Sequence, residues 1–242
     1  KQNEFVAAAS HELRSPLAVI RSSLSALESE LPGETGNQNQ TVTLRQLIKN
    51  SDRECRRMAR LVGDMLLLAS SDAGNWELHY TQTEPDTLLI EAYEAFLPLC
   101  REKNINLILE LPKEPFPPLL ADRQRLEQVI TILLDNAISY TPAGKEVRLK
   151  MYKKEGSRRI SAGYFRTVIE VADTGKGVPD EMKQRIFDRF YRGDASRKDK
   201  KHFGLGLSIA KELTEMHGGT LAVHDNPGGG SRFVVTLTLQ QA

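Results

Sequence analysis

The chain is poor in the residues and segments that build extracellular or membrane-spanning proteins. Only two of its 242 residues are cysteines, Cys55 and Cys100, which is too few for a disulfide scaffold. Both stand in apolar, helical sequence, so we expect buried and reduced thiols, as suits a reducing cytoplasm. No apolar run approaches the ~18 residues that a membrane helix needs, and no signal peptide is recognisable.

A large excess of charge of either sign is also absent. The chain has 33 basic and 32 acidic residues, with a formal net charge of +1, so the basic surface of a nucleic-acid-binding protein is not indicated. The content of 40% hydrophobic and 27% charged residues is that of an ordinary globular protein, and the length allows one large domain or two smaller ones. The numbering starts at Lys1, without methionine and inside a helical pattern, from which we expect a piece of a longer protein.

The first 70 residues have the periodicity of two helices. Apolar residues recur every three or four positions from Phe5 to Leu31, which predicts one helix with one buried stripe. Leu31-Pro32-Gly33 ends this helix, and a polar segment at 34–40 forms a turn. A second apolar stripe then follows heptad spacing from Leu44 to Ala69, which predicts the second helix of an antiparallel hairpin.

A single helical hairpin has little interior of its own. Extra leucines widen the apolar face of the second helix, at Leu47, Leu61, Leu66 and Leu68. Two hairpins packed as a four-helix bundle would bury both faces, so we predict a homodimer through residues 1–72. The small and polar residues at 70–75 are predicted to form a linker to a second domain, residues 76–242.

Helix and strand patterns mix in this second part. Helices are predicted at 86–103, 123–139 and 207–217, and strands at 106–110, 146–153, 165–171, 220–223 and 232–239. Helices and strands in this order indicate an α/β sandwich, with helices on one face of a sheet.

A histidine near the start of the chain lies off the apolar stripe. His11 is two residues from both Ala9 and Leu13, and two residues turn a helix by about 200°, so its imidazole is predicted to face away from the stripe. A carboxylate at Glu12 can hold Nδ1–H and leave Nε2 nucleophilic. Pro16 cannot donate to the carbonyl of Glu12, which loosens the helix there. By position alone, an idle surface histidine is the alternative.

Three later strings carry residues suited to a nucleotide, although the chain has no P-loop sequence. Asp173-Thr174-Gly175-Lys176-Gly177 follows an apolar strand, where a carboxylate can accept from an exocyclic amine and glycines let the backbone pass a flat ring. The amide of Asn136, late in an apolar helix, suits Mg²⁺ beside phosphates. The segment 203–208 opens a helix whose N–H groups suit phosphate. Taken singly, these strings are equally a turn, a helix-terminal hydrogen bonder and a chance Gly-x-Gly.

In their order along the chain these strings resemble a known family. The segments at 10–17, 134–137, 173–177 and 203–207 resemble the H, N, G1 and G2 boxes of bacterial sensor histidine kinases. Residues 187–192 resemble the kinase F box, which gyrase and the chaperones of the same ATP fold lack. The resemblance spans nearly the whole chain. It implies a dimerisation and phosphotransfer domain, followed by a catalytic domain with the Bergerat ATP-binding fold.

The resemblance also implies roles for single residues. His11 would be the phosphorylated residue and Glu12 its base, while Ser15 takes the place of side chains that orient water for dephosphorylation of the partner. Asn136 would hold Mg²⁺, and we assign Tyr140 to the adenine and Arg192 to a phosphate beside the lid. The predicted ATP-binding residues are Asn136, Tyr140, Asp173, Gly175, Gly177, Arg192, Gly204, Leu205, Gly206 and Leu207.

Two further segments have open interpretations. The stretch between the F box and Gly204 is basic and lacks apolar periodicity, which predicts a lid over the triphosphate or a solvated run of charge; its cations are Arg197, Lys198, Lys200 and Lys201. Gly228-Gly229-Gly230-Ser231 resembles the last box of the family, or is a hairpin turn only.

The function implied by the resemblance is that of an ATP- and Mg²⁺-dependent protein-histidine kinase. It would phosphorylate His11 and pass the phosphoryl group to a response-regulator receiver aspartate, as the cytoplasmic domain of a sensor anchored in the membrane by upstream segments. Three departures from the family pattern, Ile132, Ser139 and His202, leave open a catalytically weak, nucleotide-gated binding module. A general Bergerat ATPase is a third possibility, against which the H and F boxes argue.

Overall fold

A computed structural model describes residues 13, 16–27, 38–72, 77–154, 164–192 and 203–240. The chain divides into two compact units. The first consists of residues 1–72 with 200–203, and the second of residues 73–199 and 204–242.

The described part of the first unit contains two helices, α1 at residues 16–27 and α2 at Gln38–Asp72. Helix α2 begins six residues before the predicted Leu44, so residues 38–40 are helical and not part of a turn. It also continues to Asp72, through the first residues of the predicted linker. Residues 38–43 include neither glycine nor proline, the two residues that strongly disfavour a helix, so α2 can extend beyond its apolar stripe.

The single chain does not bury the predicted stripe of α2. Among the side chains of α2 from residue 45 onward, Leu61 and Leu68, one heptad apart, are fully buried, each stabilising the fold by roughly 1.5–3 kcal/mol. Since one residue turns a helix by 100°, this orientation leaves the neighbouring line of Ile48, Cys55 and Val62 exposed. The expected burial of the Cys55 thiol is therefore wrong for the single chain.

Helix α1, like α2, has one buried line of residues and one exposed apolar line. Pro16 and Ser23, again seven residues apart, are buried, whereas Leu17 and Leu24 on the predicted stripe are each 52% exposed. Each helix thus keeps one apolar line uncovered in the single chain.

The described part of the second unit contains a five-stranded sheet, a small two-stranded sheet and three helices. The strands are β1 Thr81–Thr83, β2 Asn106–Glu110, β3 Leu119–Ala121, β4 Glu146–Lys153, β5 Tyr164–Asp173, β6 Thr220–Asp225 and β7 Ser231–Gln240. The helices are α3 Pro85–Glu102, α4 Arg123–Tyr140 and α5 Gly206–Met216. Short 3₁₀ turns lie at Asp180–Met182 and Arg185–Phe187.

The large sheet has the strand order β2-β4-β5-β7-β6, with β2 parallel to β4 and the other pairs antiparallel. Alternate residues of each strand face the helices, as the period of two in a strand requires. Across the sheet, Leu149 pairs with Val171 and Val171 with Phe233, and all three are buried. The free thiol of Cys100 on α3 is buried, as predicted.

Helix α4 lies at the centre of the helical layer. Its buried residues recur at intervals of three and one, a wide apolar stripe, and comprise Leu126, Val129, Ile130, Leu133, Leu134, Ala137 and Ile138. It contacts α3 and α5 on either side and β4 and β5 below. The predicted α/β sandwich is therefore the observed architecture of this unit.

In the part of the chain that the structure describes, every helix is too short or too polar to cross a lipid bilayer.

Candidate nucleotide site

The predicted phosphoacceptor residues His11, Glu12 and Ser15 lie outside the described residues. So do His202 and the four cations of the predicted lid. The described residues do include those of the predicted nucleotide pocket, in the second unit.

Asp173 is the last residue of β5, and the sheet register directs its side chain toward the helical layer. It pairs with Val147 and is two positions after Val171 on the core-facing row. It is only 2% exposed, and burial of a carboxylate is costly unless hydrogen bonds satisfy it. Oδ1 accepts from the backbone N–H of Gly175 over 2.8 Å, and Oδ2 accepts from the Ser231 hydroxyl over 2.8 Å.

The turn after Asp173 passes directly under the end of α4. A Cβ atom on Gly175 would overlap the carbonyl oxygen of Tyr140 and lie 2.9 Å from Oδ1 of Asp173, so only glycine fits. Thr174 fastens the turn to β4, because its N–H donates to the Glu146 carbonyl over 3.0 Å and its hydroxyl accepts from the Glu146 N–H over 2.9 Å. Asp173, Gly175 and Tyr140 are thus brought together.

The glycine-rich turn between β6 and β7 closes the other side of Asp173. The side chain of Asn226 donates to the Asp173 carbonyl oxygen over 2.8 Å. A Cβ on Gly230, whose φ is +91°, would overlap that same oxygen. Gly177 lies against this turn, since its Cβ would be 3.2 Å from the Gly230 carbonyl oxygen. The sequence placed Ser231 only in a glycine string that resembles the last box of the family or a hairpin turn, and it did not single out Asn226.

The residues predicted to bind the phosphates lie where α4 meets the start of α5. A Cβ on Gly206 would lie 3.3 Å from Cγ2 of Ile132, so the first residue of α5 rests on α4 one turn before Asn136. Asn136 is half-buried, Leu205 is buried and Leu207 is half-buried. The N-terminus of α5, with its unpaired N–H groups, therefore faces the part of α4 that precedes Asn136.

The F-box segment brings Arg192 next to Gly204. A Cβ on Gly204 would lie 2.7 Å from the Tyr191 carbonyl oxygen and 3.1 Å from Cγ of Arg192. Phe187 anchors the segment by an edge-to-face contact with the buried Phe233, with 6.4 Å between ring centroids. The two ends of the predicted lid are therefore held side by side.

Tyr140 has a cation over its ring. Nζ of Lys176 lies 5.2 Å from the ring centroid, a cation–π geometry worth about 0.5–1 kcal/mol at exposed sites. Lys176 is exposed and Tyr140 half-buried, so an adenine stacking on this ring would displace a flexible side chain.

The second unit matches a family of ATP-binding domains. Residues 121–241 match the model of the "Histidine kinase-, DNA gyrase B-, and HSP90-like ATPase" family, and residues 1–74 match that of the "His Kinase A (phospho-acceptor) domain". The chain belongs to the histidine kinase family. The family and the fold predicted from the sequence are confirmed.

Among similar proteins, the alginate biosynthesis sensor protein KinB of Pseudomonas aeruginosa is 34% identical over 98% of this kinase chain. The chain spans 37% of the length of KinB. The crystal structure of full-length ShkA with AMPPNP aligns with 99% of the chain and 46% of ShkA, with 28% identity and a TM-score of 0.70. The structure of histidine kinase ThkA with response regulator protein TrrA covers 97% of the chain and 61% of that structure's chain, with 22% identity and a TM-score of 0.67, a likeness of fold.

One predicted Mg²⁺ ligand, the side-chain amide of Asn136, lies among the described residues of the pocket. Among the described residues, no group of three or more His, Cys, Asp and Glu side chains could hold a metal ion. Mg²⁺ takes few protein ligands when phosphate oxygens complete its shell, so one amide oxygen at Asn136 would be compatible with a magnesium nucleotide. The ATP-binding family match and the buried Asp173 agree with binding of ATP.

Lowering the pH is expected to destabilise the second unit of the kinase through His217. Burial lowers the pKa of this imidazole, against hydrogen bonds to Leu213 and Asp122 that oppose the shift. The unfolded chain, in which a histidine has a pKa of about 6.5, therefore binds the proton more readily. The stabilisation is complete above pH ~6.5 and is lost as the pH falls below it, by at most about 1.4 kcal/mol per pH unit.

Thermal unfolding of the parent and of His217→Gln at pH 7.5 and pH 5.5 checks this. The melting temperature of the parent should fall more between pH 7.5 and pH 5.5 than that of His217→Gln. Equal losses in the two proteins would contradict a contribution from His217.

Proposed function

We propose that the chain is the core of an ATP-dependent protein-histidine kinase. Residues 1–72 form its dimerisation and phosphotransfer domain, and residues 76–242 form its ATP-binding catalytic domain. The observation that carries the proposal is the buried Asp173 carboxylate, held at the end of β5 beside Tyr140, in a chain whose first 74 residues match a phosphoacceptor family. The other proposed site residues surround this centre.

Asp173 recognises the adenine in this proposal. Each of its carboxylate oxygens has a second lone pair beside the one that the protein uses, so one oxygen can accept from the exocyclic amine of adenine. Gly175 and Gly177 keep the adjoining backbone free of side chains, and Tyr140 covers one face of the base.

The triphosphate extends from the adenine toward the N-terminus of α5. The N–H groups and the positive dipole end at Gly204 to Leu207 attract phosphate oxygens, and Arg192 contributes a guanidinium from the lid side. Asn136 would hold Mg²⁺, which would neutralise charge on the phosphates. The protein then acts mainly by positioning and charge stabilisation, as phosphoryl transfer requires little covalent help.

The acceptor is Nε2 of His11. Its lone pair forms a bond to the γ-phosphorus while the bond from that phosphorus to the bridging oxygen breaks, and ADP leaves with the electron pair. The Glu12 carboxylate holds Nδ1–H during this step. In a second step, a carboxylate oxygen of a response-regulator aspartate bonds to the phosphorus and the N–P bond breaks. Ser15 orients water when the same chain dephosphorylates the regulator.

The response regulator is proposed as the partner, and the membrane as the location of the whole sensor through segments outside this chain. ThkA, which has the same fold, was crystallised with the response regulator protein TrrA, and KinB is named a sensor protein.

Incubation with ATP labelled at the α- or at the γ-phosphate tests the proposed function. A kinase acquires label from γ-labelled ATP only, and loses it when a receiver domain is added. Binding of nucleotide without any label on protein would support the alternative of a nucleotide-gated binding module.

The chain is also proposed to form a homodimer through residues 1–72. The uncovered apolar lines of α1 and α2 supply the surface, with Leu17, Leu24, Ile48, Val62 and Leu66 between 43% and 63% exposed. Two such hairpins would cover these lines in a four-helix bundle.

Val62→Lys is expected to raise the dissociation constant of the dimer at least about tenfold, or ~1.4 kcal/mol, because a buried unpaired charge costs more than this. Gln46→Lys is the matched control, since Gln46 lies on the polar line of α2 with Arg53 and Arg60, all of them exposed. Sedimentation equilibrium gives both constants. Unchanged dimerisation of Val62→Lys would place the interface elsewhere.

Substitution of Ile132 tests whether the chain is a kinase, a general ATPase or a catalytically weak binding module. Its side chain rests on Gly206 at the phosphate side and cannot polarise water, so we expect labelling of His11 with very little free phosphate. Ile132→Asn should leave the labelling rate within about tenfold, a barrier change of ~1.4 kcal/mol. Ile132→Val, which removes one methylene group and adds no polar atom, is the control.

The comparison is phosphate release against His11 labelling in all three proteins. A parent that releases phosphate faster than it labels His11 would contradict the kinase assignment. Labelling by Ile132→Asn alone would mean that Ile132 disables the site and would favour the binding module.

A further inference from the structure

The two helices that border the proposed ATP site meet again at their opposite ends. Asp122 precedes the first residue of α4, and its backbone N–H donates to Nε2 of His217, just after α5, over 3.3 Å. Because Nε2 accepts, Nδ1 carries the hydrogen and donates to the Leu213 carbonyl oxygen over 2.7 Å. Asp122 and His217 are 5% and 4% exposed. We call this pair the helix joint.

The first described segment of the second unit, which precedes β1, is fastened to the same joint. The backbone N–H of His79 donates to Oδ2 of Asp122 over 3.0 Å, while Oδ1 accepts from the N–H of Arg125 and caps α4. The ring of Tyr80 meets His217 edge-on, with 6.1 Å between centroids. Strand β1 follows at once and pairs with β3, which ends just before Asp122. One carboxylate therefore binds both the segment before β1 and the first turn of α4.

Helices α4 and α5 connect the helix joint to the proposed ATP site. Helices α4 and α5 run in opposite directions. Asp122, before α4, contacts His217, after α5, whereas Ile132, midway along α4, contacts Gly206 at the start of α5. Close-packed helices move as rigid bodies and transmit strain. A shift at the joint therefore changes the distance between Asn136 on α4 and the N–H groups that start α5.

We propose that the Asp122–His217 joint sets the position of α4 against α5 and couples the first segment of the second unit, at His79, to the proposed ATP site along both helices. The inference rests on the proposed ATP site and adds a route of regulation to it. His217 is a positioning residue, because it acts through α5 and lies at the opposite end from the phosphates. Such coupling is reciprocal, so bound ATP must tighten the joint by the factor by which the joint strengthens ATP binding.

The first test measures the affinity for Mg-ATP of the full chain and three variants by calorimetry at pH 7.5. His217→Leu removes both hydrogen bonds of the imidazole and should raise the dissociation constant at least fivefold. His217→Gln can still accept from Asp122 and donate to Leu213, and should stay within twofold of the parent. Thr214→Val, the matched control, removes a buried hydroxyl that bonds only to Ala210 on the same helix, and should also stay within twofold.

The second test measures hydrogen exchange of the His79 amide with and without Mg-ATP. Nucleotide should slow this exchange several-fold in the parent and in His217→Gln, and to less than half that extent in His217→Leu. A purely stabilising contact would lower the melting temperature of His217→Leu without changing either readout.

The two possible failures have different signatures. A parent that binds Mg-ATP, with all variants alike and with no effect of nucleotide on His79, would overturn the joint and leave the proposed function standing. A parent that binds no Mg-ATP would overturn both.

Discussion

His11→Gln is expected to abolish phosphoryl labelling of the chain while leaving the affinity for ATP within about twofold of the parent. Glutamine has no nucleophilic ring nitrogen, so no N–P bond can form. The proposed nucleotide contacts all lie beyond residue 130, in the other compact unit of the chain, so their geometry does not depend on residue 11. Filter-bound label and nucleotide calorimetry on the same preparation measure the two quantities.

His79→Gln and His224→Gln are matched controls, since each replaces an exposed histidine of the second unit and leaves His11 intact. Both should label like the parent. Normal labelling of His11→Gln would refute the assignment of the acceptor, and a parallel loss of ATP binding would show that the two sites are not separable.

Asp173→Asn should weaken ATP binding about tenfold to a hundredfold or somewhat more, which corresponds to ~1.5–3 kcal/mol for a lost charge-assisted hydrogen bond. The fold should tolerate the change, because the amide oxygen can still accept from Gly175 and the amide nitrogen can donate to the rotatable Ser231 hydroxyl. Discrimination between ATP and GTP should fall with the affinity, since adenine carries the amine that the carboxylate recognises. Competition calorimetry with both nucleotides gives these values.

Glu170→Gln is the control for Asp173→Asn. It neutralises a carboxylate three residues earlier on the same strand, which pairs with Arg232 at 3.6 Å. This variant should bind ATP like the parent. Equal ATP affinity of Asp173→Asn and the parent would exclude Asp173 as the adenine contact.

The regular elements of the second unit were predictable because burial imposes a period on the sequence. Strand β4 was predicted with its observed bounds, since Val147, Leu149 and Met151 alternate with charged residues. Strands β1 and β3 were missed, as three residues are too few to show a period of two. Their pairing depends on a register between residues about 40 positions apart, which local pattern does not reveal.

The helices of the first unit show a different limit of sequence patterns. A heptad stripe predicts that an apolar line is covered, but it does not distinguish covering by the same chain from covering by a second copy. In the single chain Leu61 and Leu68 are buried, and the adjacent predicted line of Ile48, Cys55 and Val62 is exposed. Both lines contain apolar residues, so only the structure shows which of them is buried within the single chain.

The part of the candidate site that lies in short sequence motifs was predictable. The glycines of the pocket and Asp173 stand in strings with recognisable spacing, and the structure brings Asp173, Gly175 and Tyr140 together. Ser231 and Asn226 could not be placed beforehand, because their hydrogen bonds to Asp173 span more than 50 residues and arise from the β5–β7 register. The Asp122–His217 contact is likewise created by the packing of α4 against α5.

Mapping the labelled residue tests the central claim most directly. The parent chain is incubated with γ-labelled Mg-ATP and digested under alkaline conditions, and the labelled peptide is located and then exposed to acid. The account predicts one labelled peptide, containing His11, whose label survives base and is released by acid. Label on a serine or threonine peptide that survives acid, or tightly bound nucleotide with no label on any peptide, would contradict it.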